Sequence, residues 1–350
     1  MPTTAYCYDA AERSHDLPGH PENRHRLEST LALLTQTGCL RQVQAVPCTP
    51  LSDERLLRVH PQQHVQRIET LAQQGGGYLD PDTYVRPGSA LAARLAAGGL
   101  VNLTLAVLDG QAGNGFALLR PPGHHATAAE AMGFCLYSNV ALAAATAQVE
   151  RNLSRILIVD FDVHHGNGTQ DIFYHDAGVL FFSTHQYPYY PGSGAINETG
   201  AGAGMGATAN VPLPPGVGDQ GYAAIYAQIL WPLARRFQPQ LILVSAGYDA
   251  HWDDPLAGMT LSLTGYAHLV SELLDMAAEL CAGKIVFALE GGYNLDVLAH
   301  GVNNTLWLLQ DRQAVIQDLF GPAPPPRARY QRLAAARGRA AWTGRRSLQP

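Results

Sequence analysis

The feature that most constrains the fold is an alternation of two kinds of segment along the chain. Short runs rich in Val, Ile, Leu and Phe, typical of buried strands, recur between longer Ala- and Leu-rich stretches with helical spacing. The predicted strands are residues 116–119, 156–159, 179–182, 241–244 and 285–289. The predicted helices include residues 138–148, 222–236 and 265–281. This alternation predicts an α/β fold in which a central, mostly parallel sheet carries helices on both faces.

Composition is that of a globular protein, with 47% hydrophobic and 15% charged residues among 350. We predict a single catalytic domain over residues 1–321, followed by a basic tail over residues 322–350. The tail holds seven arginines and no acidic residue, whereas the whole chain has a net charge of -6. Because no aromatic-interleaved basic groove accompanies it, we expect no nucleic-acid binding and instead a tail that docks on its own domain or forms a homo-oligomer contact.

The sequence shows no pattern typical of a secretory signal or a transmembrane segment. The first residues lack a basic start followed by an apolar run, and no window approaches 18 uninterrupted apolar residues. The five cysteines are scattered without C-x-x-C spacing, which argues against a disulfide framework. We therefore expect a cytoplasmic protein with no membrane contact.

Chemistry-bearing clusters follow the predicted strands. In chain order they read RPPGHH, DFDVHHGNG, STHQ, SAGYDAHWDDP and EGGYN. Because ligands bind at the carboxyl ends of parallel strands, we expect the five clusters to meet in one crevice. The Pro- and Gly-rich stretches 74–89 and 186–220 are predicted to be long loops at its rim.

A metal site is predicted from three of these side chains. Asp162 and His164 are two positions apart, which places them on the same side of an extended segment. Asp249, which follows the strand at 241–244, supplies a third ligand. Two carboxylates and one imidazole with an open fourth position are the ligand set of a catalytic Zn²⁺.

The paired histidines predict acid–base chemistry beside this metal. His124 is expected to pair with Asp160, and His125 with Asn167. Because a carboxylate favours the imidazolium more than an amide does, His125 is the better base for the attacking water and His124 acts electrostatically. Tyr293, which follows two glycines, is expected to donate to the oxyanion.

Six motifs taken together resemble the zinc-dependent histone deacetylase family, which includes bacterial acetoin-utilisation and acetylpolyamine relatives. They are RPPGHH, GFCLYSN, DFDVHHGNGTQ, HQYPYYPGSG, SAGYDAHWDDPL and LEGGYNL. The similarity covers roughly residues 15–310. It implies an arginase-like three-layer α/β/α fold and removal of acetyl or related acyl groups from acyl-lysine in a peptide or protein. It also implies the same zinc ligands, histidine dyad and tyrosine.

The resemblance alone implies a substrate tunnel. Phe134 and Tyr190 are similar to its two aromatic walls, and Gly133 to the residue whose carbonyl accepts the substrate amide. Position 190 departs from the more frequent Phe by one hydroxyl. Leu256 lies seven residues after the metal aspartate Asp249, at a gate position.

Two further features come only from the resemblance. A structural K⁺ ion is implied near Asp160 and Ser183, together with carbonyls around the metal loop. Arg26 resembles the arginine of an internal channel through which acetate leaves.

Three alternatives remain open from the sequence. A binuclear manganese ureohydrolase would need acids where the chain has Gly166 and His251. An acetylpolyamine amidohydrolase would favour an acidic gate where the chain has Leu256, although Asp80 and Asp82 offer acids at the rim. A catalytically silent acyl-lysine-binding scaffold would share the fold, and zinc-dependent turnover distinguishes it from an enzyme.

Overall fold

The computed structural model describes residues 3–311 and 316–325, and its centre is an eight-stranded sheet. The predicted tail at 322–350 lies almost wholly outside the described residues. Within these residues there are ten strands: β1 (Thr4–Cys7), β2 (Gln44–Ala45), β3 (Gly77–Tyr78), β4 (Tyr84–Val85), β5 (Asn114–Ala117), β6 (Ile156–Asp160), β7 (Val179–Gln186), β8 (Thr208–Leu213), β9 (Leu241–Ala246) and β10 (Ile285–Leu289). The central sheet has the order β2-β1-β5-β10-β9-β6-β7-β8, and every neighbouring pair in it is parallel.

Helices cover both faces of the sheet. They are α1 (His25–Thr37), α2 (Asp53–Leu56), α3 (Gln62–Gln73), α4 (Ser89–Leu108), α5 (Asn139–Arg151), α6 (Asn167–Phe173), α7 (Asp219–Ile225), α8 (Trp231–Phe237), α9 (Leu263–Cys281) and α10 (Leu295–Leu309). Helices α1 and α7 to α10 pack together on one face, and α2 to α6 on the other. The predicted three-layer α/β/α architecture is confirmed.

The core is divided by the sheet because successive strand residues point to opposite faces. Along β6, Leu157 and Val159 belong to the apolar cluster on the α9 side, whereas Ile156 and Ile158 belong to the cluster on the α4 side. Every residue of β6, β7, β9 and β10 is buried. Burial on both faces explains why these strands read as continuous apolar runs.

Several predicted boundaries are wrong. The STHQ cluster lies inside β7 and does not follow it, because Ser183 to Gln186 continue the ladder with β8. The stretch 186–220 contains β8, an edge strand, and the stretch 74–89 contains the β3–β4 hairpin. Strands β1 and β2 were not predicted because they are short. The helix predicted at 222–236 is α7 and α8 joined by a π-helical segment, Tyr226–Leu230.

Helix α4 alone among the described residues is long and apolar enough to cross a membrane by length and composition. However, 72% of its apolar window is buried inside the fold. Its composition is that of a core helix.

The strand order brings the chemistry-bearing segments together. Strands β5, β10, β9 and β6 are consecutive neighbours, and all run in the same direction. The segments that follow them therefore begin at one edge of the sheet, as ligand-binding segments of open parallel sheets do.

Candidate active site

Three predicted metal ligands meet at this edge. One ligand atom from each of Asp162, His164 and Asp249 lies within 4.8 Å of the others. His164 Nδ1 is 3.2 Å from Asp162 Oδ1 and 3.2 Å from Asp249 Oδ2. Asp249 Oδ2 is buried and accepts no hydrogen bond from the described residues. A buried anionic oxygen is costly without a compensating partner, so this donor set fits a divalent cation.

Backbone amides hold the two carboxylates in place. Asp162 Oδ2 accepts a hydrogen bond from the Gly291 amide at 2.7 Å, and Asp162 Oδ1 accepts one from the His164 amide at 2.9 Å. Asp249 Oδ1 accepts one from the Val163 amide at 2.9 Å. These three bonds fix the orientations of both carboxylates and leave Asp249 Oδ2 available to an ion.

We expect Gly291→Ala to weaken metal binding at least tenfold, about 1.4 kcal/mol in binding free energy. A Cβ at position 291 would overlap the carboxylates of both Asp249 and Asp162. At least one carboxylate must then turn away from His164. Zinc affinity measured by competition with a chelating dye checks this, and an unchanged dissociation constant would contradict the packing argument.

The two histidines of the predicted dyad are neighbours, with ring centroids 4.0 Å apart. His124 Nδ1 lies 3.1 Å from Asp160 Oδ2, and His125 Nδ1 lies 2.8 Å from Asn167 Oδ1. Both predicted side-chain pairs are therefore in hydrogen-bond contact. Their acceptor oxygens place the proton on each Nδ1 and leave each Nε2 as the second functional atom.

The environments of the two imidazoles shift their pKa values apart. Burial opposes the charged form of His124, but the carboxylates of Asp162 and Asp160 outweigh it and raise its pKa to about 10. Burial, together with the rings of His124 and His164, lowers the pKa of His125 well below its usual value. His125 is thus the neutral imidazole of the pair, which is the form a general base requires.

A buried glutamate supports the turn that carries the dyad. Glu290 Oε2 accepts hydrogen bonds from the amides of Gly123 at 2.7 Å and His124 at 3.1 Å. Burial raises the pKa of Glu290 to about 7. Sequence reasoning gave Glu290 no role, although an acid directly after a buried strand was a usable signal.

The site opens into a cavity of about 430 Å³. The cavity is lined by all the predicted substrate-binding residues, and also by His125 of the dyad, the predicted metal ligand His164 and the predicted oxyanion donor Tyr293. The lining residues are His20, Pro21, Asp82, His125, Gly133, Phe134, His164, Tyr189, Tyr190, Leu256 and Tyr293.

The aromatic walls are held by an unusual local backbone. Gly133 and Phe134 have φ values of 54° and 70°, in the left-handed region that non-glycine residues seldom adopt. The Phe134 amide donates to Thr83 Oγ1 at 3.0 Å, and a Cβ at Gly133 would overlap the His125 ring. The Tyr190 ring meets His125 edge-on at 5.1 Å. The wall segment is therefore packed directly against the dyad.

Four residues that line the cavity were not among the predicted site residues: His20, Pro21, Tyr189, and Asp82, which was predicted only as an acid at the rim. The Tyr189 ring stacks on His164 at 5.7 Å, and its hydroxyl donates to the Leu256 carbonyl at 2.6 Å. His20 Nε2 lies 3.1 Å from the Asp82 carbonyl oxygen. The adjacency of Tyr189 to the predicted wall residue was the signal that could have found it.

The loop that carries Tyr293 is fixed by another buried acid. Asp254 Oδ2 accepts hydrogen bonds from the Tyr293 amide at 2.7 Å and the Asn294 amide at 3.2 Å. Burial raises the pKa of Asp254 to about 8. The buried Arg26 guanidinium lies 5.2 Å from the Tyr293 ring centroid and donates to the Gly292 carbonyl at 2.8 Å. Sequence reasoning missed Asp254 because an acid in a loop has no periodic signal.

The two side chains predicted near K⁺ are adjacent. Asp160 is paired with Ser183 on one side and with Ser245 on the other, in neighbouring parallel strands. Ser183 Oγ lies 2.9 Å from His185 Nδ1. Asp160 is fully buried, so a cation beside it would compensate its charge.

The positions that a second catalytic metal would need hold no acid. A Cβ at Gly166 would overlap the Asp160 carboxylate, so a larger side chain there would displace the partner of His124. His251 is buried, and its Nδ1 accepts a hydrogen bond from the Asp253 amide at 3.1 Å. Both observations favour one catalytic metal.

Known proteins resemble this chain in sequence and in structure. The histone deacetylase domain matches residues 20–309. A probable deacetylase of Archaeoglobus fulgidus is 42% identical, over 80% of this chain and 78% of its own length. A histone deacetylase-like amidohydrolase of Pseudomonas aeruginosa is 41% identical, over 78% of this chain and 72% of its own. The crystal structure of the HDA15 HD domain superposes with a TM-score of 0.86 at 36% identity, covering 97% of this chain and 94% of that one.

The domain match spans most of the chain, and each of the two relatives named is more than 40% identical and matched over more than 70% of its own length. The resemblance seen in the motifs is confirmed at the level of sequence and of fold. This chain belongs to the histone deacetylase family.

Proposed function

We propose that this protein is a zinc-dependent amidohydrolase that removes acetyl or related acyl groups from the side-chain amine of acyl-lysine. The observation that carries the proposal is the convergence of Asp162, His164 and Asp249 beside a cavity that His125 and Tyr293 also line. A mainly apolar cavity that is also lined by a few polar groups suits an acyl-lysine side chain.

Zinc held by the two carboxylates and the imidazole would polarise the amide carbonyl and lower the pKa of water. His125 accepts the proton of the attacking water at Nε2, while Asn167 holds Nδ1. His124, paired with Asp160, contributes positive charge next to the reacting centre. A proton returned to the leaving nitrogen gives a free amine and a carboxylate.

Tyr293 is the donor to the oxyanion in this proposal. Burial raises the pKa of Tyr293 well above its usual value, so the hydroxyl stays protonated and donates. Gly292, with φ of 119°, allows the turn that aims the side chain toward the cavity.

We expect Tyr293→Phe to retain zinc and to lose roughly 10²–10³ in kcat, the typical cost of removing one oxyanion donor. The ring contacts with Phe134 and Arg26 do not need the hydroxyl, so KM should change little. Steady-state kinetics together with the zinc content of the purified variant measure both effects. Normal turnover would overturn the role given to the hydroxyl.

The test of the function is release of acetate from a fluorogenic acetyl-lysine peptide, with and without a chelator. Zinc-dependent release is expected, and zinc added after chelation should restore it. Binding of the peptide without release would instead favour a silent acyl-lysine-binding scaffold.

A second candidate substrate is an acetylated polyamine, which Asp82 favours because it lines the cavity. A carboxylate there would attract a cationic chain. Leu256, on the same cavity, favours a neutral peptide-borne chain instead. A panel of acetyl-lysine peptides, longer acyl groups and acetylpolyamines, ranked by kcat/KM, separates the two. A K⁺ ion beside Asp160 and Ser183 is part of the proposal as a structural cofactor.

A further inference from the structure

Residues 316–321, named here the C-terminal clasp, follow the part of the chain matched by the deacetylase domain. The clasp is anchored to two helices. Asp318 Oδ2 accepts hydrogen bonds from the Thr264 amide at 3.0 Å and its hydroxyl at 3.1 Å, at the start of α9. The Asn304 side chain, on α10, donates to the Gln317 carbonyl at 2.7 Å and accepts from the Gln317 amide at 3.2 Å. These bonds hold the clasp against the fold.

The far end of the clasp rests on the loop that follows β9. The Phe320 ring meets His251 edge-on at 5.3 Å, and meets Trp252 at 6.4 Å with an interplanar angle of 76°. Trp252 Nε1 donates to the Gly321 carbonyl at 3.0 Å. His251 is fully buried, so its ring has little room to move once Phe320 is in place.

The same loop leads directly to the proposed oxyanion donor. His251 accepts two hydrogen bonds from this loop. The Asp253 amide donates to His251 Nδ1 at 3.1 Å, and the Asp254 amide donates to the His251 carbonyl at 3.0 Å. Asp254 in turn accepts the amides of Tyr293 and Asn294. An unbroken set of contacts therefore runs from Phe320 through His251 and Asp254 to the backbone of Tyr293.

We propose that the C-terminal clasp is a positioning element of the active site, which acts by fixing His251 and Trp252 so that Asp254 holds the Tyr293 backbone in place. The inference rests on the proposed function for its kinetic readout. A displacement of about 1 Å at a catalytic group can cost as much as 10² in rate, so loss of this support is expected to lower kcat. Phe320 does not line the cavity, so KM should be preserved.

The central variant is Phe320→Ala, with Leu319→Ala as its matched control. Leu319 is the adjacent residue and its side chain is 68% exposed, so its truncation leaves the contacts of Phe320 intact. We expect Phe320→Ala to lower kcat about tenfold with KM and zinc content unchanged, and Leu319→Ala to match the wild type. Phe320→Tyr should restore kcat because it keeps the ring. Trp252→Phe, which removes the Nε1 donor to Gly321 and puts a smaller ring beside Phe320, should give a smaller loss.

A double-mutant cycle separates positioning of Tyr293 from a general loss of stability. If Phe320 acts through the Tyr293 hydroxyl, Phe320→Ala should cost less than about threefold in a Tyr293→Phe background, because coupled residues are not additive. An equal loss in both backgrounds would overturn the proposal, as would an unchanged kcat in the single variant.

Amide hydrogen exchange provides a readout that does not depend on activity. The amides of Tyr293 and Asn294 are both donors to Asp254, so they should exchange faster in Phe320→Ala than in Leu319→Ala. Unchanged exchange at these two amides would overturn the proposal even if the enzyme were inactive on every substrate tested. An inactive wild type with faster exchange in the variant would instead contradict the proposed function alone.

Discussion

Replacing Asp249 by Ala is expected to abolish both zinc binding and hydrolysis. The change leaves Asp162 and His164 as the only protein ligands of the predicted set, one fewer than a catalytic zinc site requires. It also removes the carboxylate whose Oδ2 has no hydrogen-bond partner among the described residues. Zinc content of the purified protein and turnover of an acetyl-lysine peptide measure the two losses.

The melting temperature of Asp249→Ala is also expected to respond differently to added zinc. A ligand that binds only the folded state raises the melting temperature, so added zinc should stabilise the metal-depleted wild type. It should not stabilise Asp249→Ala. The matched control is Asp275→Ala, because Asp275 is exposed on α9. Zinc-dependent stabilisation of Asp249→Ala equal to that of the control would exclude Asp249 as a ligand.

The side chains that meet at the candidate site could be predicted from the sequence because each lies close to the end of a strongly apolar strand. In a parallel sheet those ends share one edge, which makes local motifs such as Asp162-Val163-His164 informative about a site built from distant parts of the chain. The order of the strands was not predictable in this way. Strands β10 and β9 lie between β5 and β6, and no local pattern encodes that arrangement.

The elements that were missed share a different physical reason. Strand β8 contains Asn210 and Pro212 and lies at the sheet edge, where neither an apolar run nor a full ladder is required. Asp254 and Phe320 make tertiary contacts with segments far away in sequence, so spacing carries no signal for them. Local patterns thus located the side chains that meet at the candidate site and not the residues that hold them in place.

His125→Ala is expected to lower kcat by roughly 10²–10⁴, the range typical of losing a general base. The variant removes the neutral imidazole whose Nδ1 contacts Asn167 and whose ring lines the cavity. His124→Ala should cost no more than this, because His124 is buried against Asp160 and acts by its charge. Both variants keep the three metal ligands, so zinc content should remain at the wild-type value.

The ranking of the two variants tests the division of labour between the histidines. Burial, together with the positive rings of His124 and His164, lowers the pKa of His125 well below its usual value, so this imidazole is unprotonated at neutral pH and free to accept a proton. The acids around His124 instead raise its pKa to about 10. His175→Ala, at an exposed histidine, controls for unspecific effects of the substitution. A larger loss of kcat in His124→Ala than in His125→Ala would show instead that His124, the histidine paired with Asp160, is the general base.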